Sequence, residues 1–339
     1  MTVKCLVWDL DDTVWPGVVL EADGGEPKPE ALHAIRVLDE RGILHAVASR
    51  GETSAATAHL RRHGLEDMFS AVEVGWGPKS EAIRRIAESL RIGRESMAFV
   101  DNDPVELAEV AGSYPEVRCY PADRIAELPQ LPEFTPAAIS PEARHRRSYY
   151  RAEHARRIGE AEFTGPDSAF LASLDLVMTV RPASEEDLVR AHELTVRTHQ
   201  LNTTGITFDI GELREMCASP RHEVLVASLR DRFGGYGTIG LAVSELRGTD
   251  SVLVLLLMSC RVMSRGVGTA LIREVVRRAR AADRRPAAEF VATPVNRVML
   301  VTLRFAGFGV VESAGDRILL ACAAGPEEIG GTGHVEVVR

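Results

Sequence analysis

The sequence has little that would support a zinc site, a disulfide framework or a secretion signal. Its five cysteines show no CxxC spacing and no pairing with histidine, which argues against a structural zinc site and against a set of disulfides. The first apolar run starts almost at residue 1, so we expect no room for a charged, then apolar, signal segment before it. These features predict a cytoplasmic protein with reduced thiols, at Cys5, Cys119, Cys217, Cys260 and Cys322.

The chain also lacks a positive field and a long hydrophobic run. Its formal net charge is −9 and its pI is about 5.7, so the broad positive surface that binds nucleic acid is missing. The most apolar later stretch, residues 252–258, is far shorter than the ~20 residues that cross a bilayer. We therefore expect neither a nucleic acid nor a membrane as a partner.

What the sequence does contain is enough apolar material for two folded domains. Hydrophobic residues make up 45% of the 339 residues, a length that suits two separate cores. The first third alternates short β-rich runs with helical patterns, which predicts a parallel sheet covered by helices. The predicted strands are 3–8, 43–48, 71–74, 97–100 and 117–119, and the predicted helices are 29–41, 53–63, 80–90 and 104–112.

The remaining chain predicts a linker, a second domain and a tail. Residues 1–130 form the first predicted domain, and residues 131–173 read as a proline-rich linker followed by an exposed, arginine-rich bridging helix. Residues 174–324 show consecutive strands and then a helix that opens with glycine, which predicts an α+β domain on a mixed sheet. We expect the glycine-containing residues 325–339 to be disordered.

Acidic, hydroxyl and ammonium side chains follow successive strands of the predicted parallel sheet. Asp9 and Asp11 follow the first strand with the i, i+2 spacing that would place both carboxylates on one face. One carboxylate could attack phosphorus and the other could act as acid and base. Ser49 could donate to a phosphoryl oxygen, and Lys79 could neutralise the phosphate. Asp101, with Asp9 and the carbonyl of Asp11, would supply oxygen ligands for Mg²⁺.

These residues resemble the four motifs of the haloacid-dehalogenase-like phosphatases. More narrowly, the chain resembles the FkbH-like family at residues 7–15 (VWDLDDTVW), 75–80 (GWGPKS), 197–205 (RTHQLNTTG) and 257–262 (LMSCRV). The resemblance implies a Rossmann-like domain that uses Mg²⁺ to dephosphorylate a glyceryl-type acyl unit derived from 1,3-bisphosphoglycerate. It also implies that the unit is loaded onto an acyl carrier protein for polyketide-type or other secondary-metabolite biosynthesis.

The sequence departs from the family pattern at two positions, and the spacing between the first two motifs limits the size of a cap. Leu10 stands where many glyceryl-loading relatives have a cysteine, so a thioester cannot form at that position. Asn102 replaces a second adjacent aspartate after Asp101, and Asp103 is the next carboxylate. Only about forty residues separate Asp9 from Ser49, so we expect a minimal cap and an open site.

A second cluster of candidate residues precedes the long helix of the C-terminal domain. Arg265, Gly266 and Gly268 form a turn that would expose backbone N–H groups to a phosphate of CoA or of a phosphopantetheine arm. With the strands before it and the run at residues 304–308 after it, this turn resembles the Gcn5-related N-acyltransferase fold. Cys260, just before the turn, could attack or hold an acyl group, although a cysteine that ends a buried strand more often serves packing.

Two departures at this second site favour binding of a carrier arm over amine acetylation. Met263 occupies the position where the acyltransferase loop usually begins with Gln or Arg, and Leu303 occupies that of the usual general-acid tyrosine. The leading hypothesis is therefore a phosphatase that delivers or processes an acyl unit on a carrier protein. The alternatives are a stand-alone phosphatase whose C-terminal domain only binds, and a non-catalytic scaffold that docks carrier proteins through the basic helix.

Overall fold

A computed structural model describes residues 2–21, 24–136, 139, 141–263, 265–330 and 333–339. The chain divides into two units, Met1–Arg151 and Ala152–Arg339. The boundary falls inside one continuous helix, and each unit has its own hydrophobic core. Among the described helices, none combines the length and apolarity that a membrane-spanning segment needs.

The N-terminal unit is a five-stranded parallel sheet in the order β3-β2-β1-β4-β5, with helices on both faces. It confirms the predicted alternation of strands and helices. Its strands are β1 (Cys5–Trp8), β2 (Leu44–Ser49), β3 (Phe69–Val74), β4 (Met97–Asp101) and β5 (Arg118–Pro121), and its helices are α1 (Pro29–Glu40), α2 (Thr53–Arg62), α3 (Lys79–Leu90) and α4 (Pro104–Ser113).

The central strand β1 is buried on both faces because side chains alternate along it. Leu6 and Trp8 contribute to the core on one face, whereas Cys5 and Val7 contribute to the core on the other. Strands β2 and β4 pair with β1 on either side, in parallel. The carboxyl ends of these three strands therefore meet at one edge of the sheet.

The proline-rich stretch packs on the N-terminal unit instead of serving as a linker. It folds into short 3-10 helices, of which one spans Ala122–Gln130 and one Pro132–Phe134. Phe134 is fully buried, and the carbonyl of Glu133 accepts a hydrogen bond from Val3 N at 2.8 Å. Burial of apolar side chains such as Phe134 holds the stretch against the N-terminal unit.

The helix predicted at residues 142–162 forms as α5 (Arg146–Glu162), but its arginines are not one solvated face. Within the N-terminal unit, Arg147 Nε lies 2.9 Å from Asp39 Oδ1. Within the C-terminal unit, Arg156 is buried, and its Nε lies 2.6 Å from Asp231 Oδ2. The expectation of a solvated arginine face is wrong at Arg156, whose buried guanidinium is paired with the Asp231 carboxylate.

The C-terminal unit is built on a mixed eight-stranded sheet in the order β11-β12-β10-β9-β8-β7-β6-β13. The pairs β9–β10 and β6–β13 are parallel, and the other neighbours are antiparallel. Its strands are β6 (Leu176–Pro182), β7 (His222–Asp231), β8 (Gly234–Arg247), β9 (Asp250–Met258), β10 (Arg285–Val291), β11 (Phe308–Ala314), β12 (Arg317–Cys322) and β13 (Val335–Val338). Its helices after α5 are α6 (Asp167–Ser173), α7 (Leu188–Arg197), α8 (Ile210–Ala218), α9 (Val267–Ala281) and α10 (Arg297–Phe305).

The expectation of a disordered tail from residue 325 is wrong for the residues that the structure describes there. Strand β13 pairs in parallel with β6, so that Val335 lies opposite Leu176. Val335 and Ile329 are buried and belong to the main core of the C-terminal unit. Apolar residues within the tail therefore give it the burial that a disordered segment lacks.

Candidate functional site

The chain turns sharply where β1 ends, and this turn places Asp9. Asp9 N donates to Val100 O at 3.0 Å, which ties the residue to the neighbouring strand β4. Thr13 N and Val14 N both donate to Leu10 O, and Asp12 adopts the left-handed conformation with φ of 56°. The backbone after Asp9 therefore folds back on itself instead of continuing as an extended strand.

Lys79 brings the ends of three strands together at this edge of the sheet. It is the first residue of α3 and is buried. Its Nζ lies 2.5 Å from Asp9 Oδ1 and 3.2 Å from Asp101 Oδ2, and it donates to Ala48 O at 2.8 Å. Because these partners lie at the carboxyl ends of β1, β4 and β2, the ammonium group stands between two buried carboxylates at this edge and offsets part of their negative charge.

One carboxylate oxygen of Asp101 accepts no hydrogen bond from the described residues. Its Oδ1 accepts from Asp103 N at 2.9 Å, whereas its Oδ2 is buried without a hydrogen-bond partner among the described residues. Oδ2 is within ion-pair distance of Lys79 Nζ, but that contact does not have hydrogen-bond geometry. Burial, and then the negative charge of Asp9, raise the pKa of Asp101 to about 6, against the opposing effect of Lys79.

These carboxylates fit a magnesium ion. Mg²⁺ prefers oxygen ligands, and it usually combines one or two carboxylates with waters and substrate oxygens. Asp9 and Asp101 provide two carboxylates, and Asp101 Oδ2 is a buried oxygen that lacks a donor. Among the described residues, no three His, Cys, Asp or Glu side chains are placed to hold one metal ion together, so further ligands would have to be backbone, water or substrate oxygens.

Asp11 lies beyond the strand, and its environment differs from the one predicted. The sequence predicts that Asp9 and Asp11 share one face of an extended strand, but β1 ends at Trp8. Asp11 is half-buried, and its Oδ1 accepts from Trp15 Nε1 at 2.9 Å and from Val19 N at 3.3 Å. This role of Trp15 was not predicted, although the i+4 spacing of Trp15 from Asp11 within a turn is a usable signal.

The two residues after Asp101 have structural partners. Thr13 Oγ1 donates to Asn102 Oδ1 at 3.2 Å and accepts from Asn102 N at 3.1 Å. These bonds join the turn after β1 to the end of β4. Asp103 Oδ1 accepts from Val105 N at 2.8 Å and so caps α4, which gives this carboxylate a role other than metal binding.

Ser49 is buried at the end of β2, beside the contacts of Lys79. Its carbonyl accepts from Gly75 N at 3.1 Å, which ties the turn after β2 to the loop after β3. The next residue, Arg50, forms an ion pair with Glu106 in the first turn of α4. This ion pair could not be predicted, because no local sequence pattern links Arg50 to Glu106, which lies far along the chain.

The residues predicted to bind a carrier arm lie around the start of α9. Gly266 caps the helix with φ of 70°, which favours glycine, and the Arg265 guanidinium lies 5.4 Å from the centre of the Tyr236 ring. A Cβ added at Gly268 would lie 2.9 Å from Met258 Cε, the end of a flexible side chain that can shift, so packing alone does not require a glycine there. Cys260 is exposed, in a short 3-10 helix after β9 instead of inside the strand.

Strands β9 and β10 separate toward their carboxyl ends, and residues 201–204 of the same chain lie in the gap between them. Their pairing ends with Leu253 opposite Ala288, although both strands continue. Thr203 N donates to Leu256 O at 3.0 Å, and Thr203 O accepts from Val291 N at 3.0 Å. The buried segment 201–204 thus lies between the two strands like a short additional strand.

Asn296 fixes this segment in place. It is fully buried, and its Nδ2 donates to Asn202 O and to Val291 O, each at 2.9 Å. Its Oδ1 accepts from Thr293 N at 2.9 Å. The amide groups in the gap therefore already have partners, and an extended ligand could pair with these strands only by displacing the segment.

Comparison with known proteins assigns a class to the N-terminal unit. Residues 15–109 match a family described as a hydrolase, the haloacid dehalogenase-like hydrolase. The N-terminal unit therefore carries a haloacid dehalogenase-like hydrolase domain. The match includes Ser49, Lys79 and Asp101, and it begins after Asp9 and Asp11.

Solved structures resemble each part of the chain. One is the N-terminal part of a Bacteroides fragilis protein that contains a phosphatase domain in complex with Mg, with 28% identity, 40% coverage of this chain and a TM-score of 0.35. That match spans only 40% of the length of the Bacteroides chain. No curated protein matches the chain.

N-acetyltransferases are also among the similar structures. The ribosomal-protein-S18-alanine N-acetyltransferase of Escherichia coli is 13% identical over 43% of this chain and 92% of its own, with a TM-score of 0.34. The paia N-acetyltransferase of Thermoplasma acidophilum, in complex with coenzyme A, is 16% identical over 43% and 98%, with a TM-score of 0.33. The strand orders of the two sheets confirm the predicted fold class of an α/β unit followed by an α+β unit.

Proposed function

We propose that the chain is a cytoplasmic, magnesium-dependent phosphatase that acts on a phosphorylated acyl unit in connection with an acyl carrier protein. The observation that carries the proposal is the contact of Lys79 Nζ with Asp9 and Asp101 at the carboxyl edge of the sheet. In parallel α/β sheets, ligands bind at this edge. One ammonium group does not balance two carboxylates, so an anionic phosphate at this edge would also need the positive charge of a bound Mg²⁺.

Asp9 is the proposed nucleophile. Lys79 holds Oδ1, which leaves Oδ2 to attack phosphorus. The new bond joins Oδ2 to phosphorus while the bond from phosphorus to the ester oxygen of the substrate breaks. Lys79 stabilises the charge on the phosphoryl oxygens, and the Ser49 hydroxyl donates to one of them.

Asp11 is the proposed acid and base. In its protonated form it gives a proton to the leaving ester oxygen, and it then takes a proton from the water that attacks the aspartyl phosphate. This second step releases inorganic phosphate and restores the Asp9 carboxylate. The hydrogen bond from Trp15 Nε1 to Asp11 Oδ1 would hold the carboxyl group in one orientation between the two steps.

Asp9, Asp101 and the backbone carbonyl of Asp11 are the proposed ligands of the magnesium ion. The bound ion would supply positive charge that polarises a phosphoryl oxygen. Asp101 Oδ2, buried without a hydrogen-bond donor, supports the assignment of this carboxylate.

The proposed substrate is a glyceryl-type acyl unit derived from 1,3-bisphosphoglycerate, loaded or processed on a carrier protein for polyketide-type or other secondary-metabolite biosynthesis. The resemblance to the FkbH-like family supports this proposal. So does the short connection between β1 and β2, where the described residues form only a short 3-10 helix and α1, so that a large substrate has access.

The phosphatase is tested by phosphate release with Mg²⁺ from a panel of phosphorylated acyl compounds. Asp9→Asn should remove activity, and Asp11→Asn should lower kcat by about 10²- to 10⁴-fold. Asp12→Asn is the matched control, because Asp12 lies in the same turn and is exposed. Equal activity in Asp9→Asn and Asp12→Asn would contradict the assignment of the nucleophile.

The carrier role needs a separate measurement. The protein, Mg²⁺ and 1,3-bisphosphoglycerate are incubated with phosphopantetheinylated carrier proteins, and the intact mass of each carrier is followed. A gain that matches a glyceryl thioester supports loading. If the masses of all carriers stay unchanged while phosphate is released, loading is ruled out for those carriers.

The filled gap between β9 and β10 favours a second candidate, a stand-alone phosphatase whose C-terminal unit does not hold a pantetheine arm. Segment 201–204 already pairs with both strands. This candidate predicts the same rate of phosphate release with and without carrier protein, and no effect of Cys260→Ala. The first candidate predicts faster release when the carrier protein is present.

A further inference from the structure

Two donors outside the sheet hold Asp11, the proposed acid and base. Its Oδ1 accepts from Trp15 Nε1 at 2.9 Å and from Val19 N at 3.3 Å. Trp15 is fully buried, and Val19 begins a short 3-10 helix. Because β1 ends at Trp8, contacts beyond the sheet fix the indole and Val19.

His59 of α2 contacts the first of these donors. It is buried, and the centre of its ring lies 4.5 Å from that of Trp15. His59 Nε2 lies 3.2 Å from Gly25 O. Because a carbonyl oxygen can only accept, Nε2 carries the proton and donates it to this bond. The ring that packs on the indole is therefore itself held by a hydrogen bond, which an aliphatic side chain of similar size would lack.

Gly25, the acceptor of this bond, is tied back to the residue after Trp15. Gly25 N donates to Pro16 O at 2.8 Å. A Cβ added at Gly25 would lie 2.7 Å from Pro16 Cγ, so the two residues are in close contact. A closed circuit of covalent, hydrogen-bonded and packing contacts thus runs through Trp15, Pro16, Gly25 and His59. The circuit limits the positions that the indole can take.

Gly24 brings the second donor into the same set of contacts. A Cβ added at Gly24 would lie 3.2 Å from Val19 Cα and 3.3 Å from His59 Cε1. Gly24 therefore lies against Val19, whose N–H bonds Asp11, and also against the His59 ring. Contacts of His59 thus lead to both donors of the Asp11 carboxylate.

We propose that His59 is a positioning residue that acts through Trp15 to keep the Asp11 carboxyl group directed at the leaving oxygen of the substrate. The proposal rests on the proposed phosphatase function, and it adds a residue of α2 to the control of proton transfer. Displacement of a reacting group by about 1 Å can cost about 10²-fold in rate. His59 acts on Asp11 and not on the phosphate, so its substitution should slow proton transfer without weakening substrate binding.

The kinetic test compares two esters that differ in their need for an acid. The alkoxide that leaves 3-phosphoglycerate must be protonated, whereas para-nitrophenolate is a stable leaving group. His59→Leu should lower kcat/KM about tenfold to hundredfold for 3-phosphoglycerate and less than about threefold for para-nitrophenyl phosphate. The loss with 3-phosphoglycerate should lie in kcat instead of KM. His59→Gln, which keeps a donor for Gly25 O, should retain most of the activity.

The ratio of the two kcat/KM values also corrects for any loss of folded protein, since unfolding lowers both values equally. The matched control is His33→Leu, because His33 is an exposed histidine of α1, and it should keep the wild-type ratio. Trp15→Phe removes the indole N–H but keeps a ring, so it should show the same selective loss as His59→Leu. An equal loss with both esters, or no loss, would overturn the proposal.

A second measurement does not depend on turnover. It follows the indole N–H signals by NMR of protein that carries ¹⁵N-labelled tryptophan. In His59→Leu, the Trp15 signal should shift and its N–H should exchange with water at least about tenfold faster, whereas that of Trp8, which bonds His45, should stay as in wild type. Asp11→Asn should shift the Trp15 signal, which assigns it. An unchanged Trp15 signal in His59→Leu counts against the proposal.

The two experiments separate this inference from the proposed function. If the wild-type protein releases phosphate from neither ester, the phosphatase proposal fails for them. Whenever either ester is not turned over, the NMR result alone decides whether His59 fixes Trp15 beside Asp11. If both esters are turned over but His59→Leu keeps the wild-type ratio, the phosphatase proposal stands and the role of His59 is refuted.

Discussion

His45 should make the stability of the N-terminal unit depend on pH in a way that one substitution removes. The residue lies on β2 and is fully buried. Trp8 Nε1 lies 3.0 Å from His45 Nδ1, and His45 Nε2 lies 3.0 Å from Ile35 O. Because an indole N–H can only donate, Nδ1 accepts, and Nε2 carries the proton and donates to the carbonyl. A second proton on Nδ1 would face the indole N–H.

The sign and size of the effect follow from the pKa. Burial lowers the pKa of His45 from 6.5 to about 4, and the nearby charge of Asp39 opposes this only in part. Above pH 6.5 the ring is neutral in both states and contributes nothing. As the pH falls from 6.5 to 4, His45 becomes protonated in the unfolded chain while it stays neutral in the folded chain, so the free energy of unfolding falls. At about 1.4 kcal/mol for each pKa unit, the loss is about 3 kcal/mol.

The assay is urea unfolding followed by tryptophan fluorescence, because all three tryptophans belong to the N-terminal unit. The comparison variant is His45→Gln, which can accept from Trp8 and donate to Ile35 but does not titrate. The raised pKa of Asp101 has the opposite effect on stability. Between pH 6 and 4 the folded state binds a proton at Asp101 before the unfolded chain does, so the free energy of unfolding rises as the pH falls. Asp101 is present in both proteins, so it cancels in their difference.

The expected result is a difference that changes with pH. Between pH 7 and pH 4, wild-type protein should lose about 3 kcal/mol more than His45→Gln, whatever constant cost the substitution carries at pH 7. Parallel curves for the two proteins would refute the reasoning. They would mean that the imidazole binds its second proton in the folded state as readily as in the unfolded chain.

Three further substitutions should affect stability. Asn296→Ala removes a buried carboxamide with four backbone partners, so hydrogen exchange in the C-terminal unit should report a loss of about 3–5 kcal/mol. Val301→Ala, at a 44% exposed position of α10, should change the same measurement by less than about 0.5 kcal/mol. Arg156→Met leaves Asp231 buried without its cation and should cost about 3–5 kcal/mol by hydrogen exchange. Asp103→Ala removes the cap of α4, and urea unfolding by tryptophan fluorescence should show a loss of about 1 kcal/mol. A smaller loss for Asn296→Ala than for Val301→Ala would contradict the role of segment 201–204.

The parallel sheet was predictable because its strands are buried on both faces and read as continuous apolar runs. The run at residues 97–100 became Met97–Asp101, and the helical pattern at 53–63 became Thr53–Arg62. Lys79 and Asp101 could be placed near Asp9 because parallel strands bring their carboxyl ends to one edge. Proximity at that edge depends on topology, which the alternation of strands and helices already indicates.

Other features depend on contacts that local patterns do not contain. The fold of the turn after Asp9 depends on three N–H groups that share the Leu10 carbonyl, so the i, i+2 rule for strands did not apply to Asp11. The burial of Arg156 depends on Asp231, which lies far along the chain. The resemblance at residues 197–205 suggested that the stretch matters, but it gave no physical role. The structure supplies that role, because it places Thr203 between β9 and β10.

The position of Thr203 also bears on the order in which the C-terminal unit folds. Leu256, which bonds its hydroxyl, is 53 residues away in sequence, and Val291 is farther still. Two long loops must close before this residue can join β9 to β10, and contacts of such separation form slowly. We therefore expect the hairpins of β7, β8 and β9 to assemble early, with the insertion of Thr203 as a late event that completes the sheet.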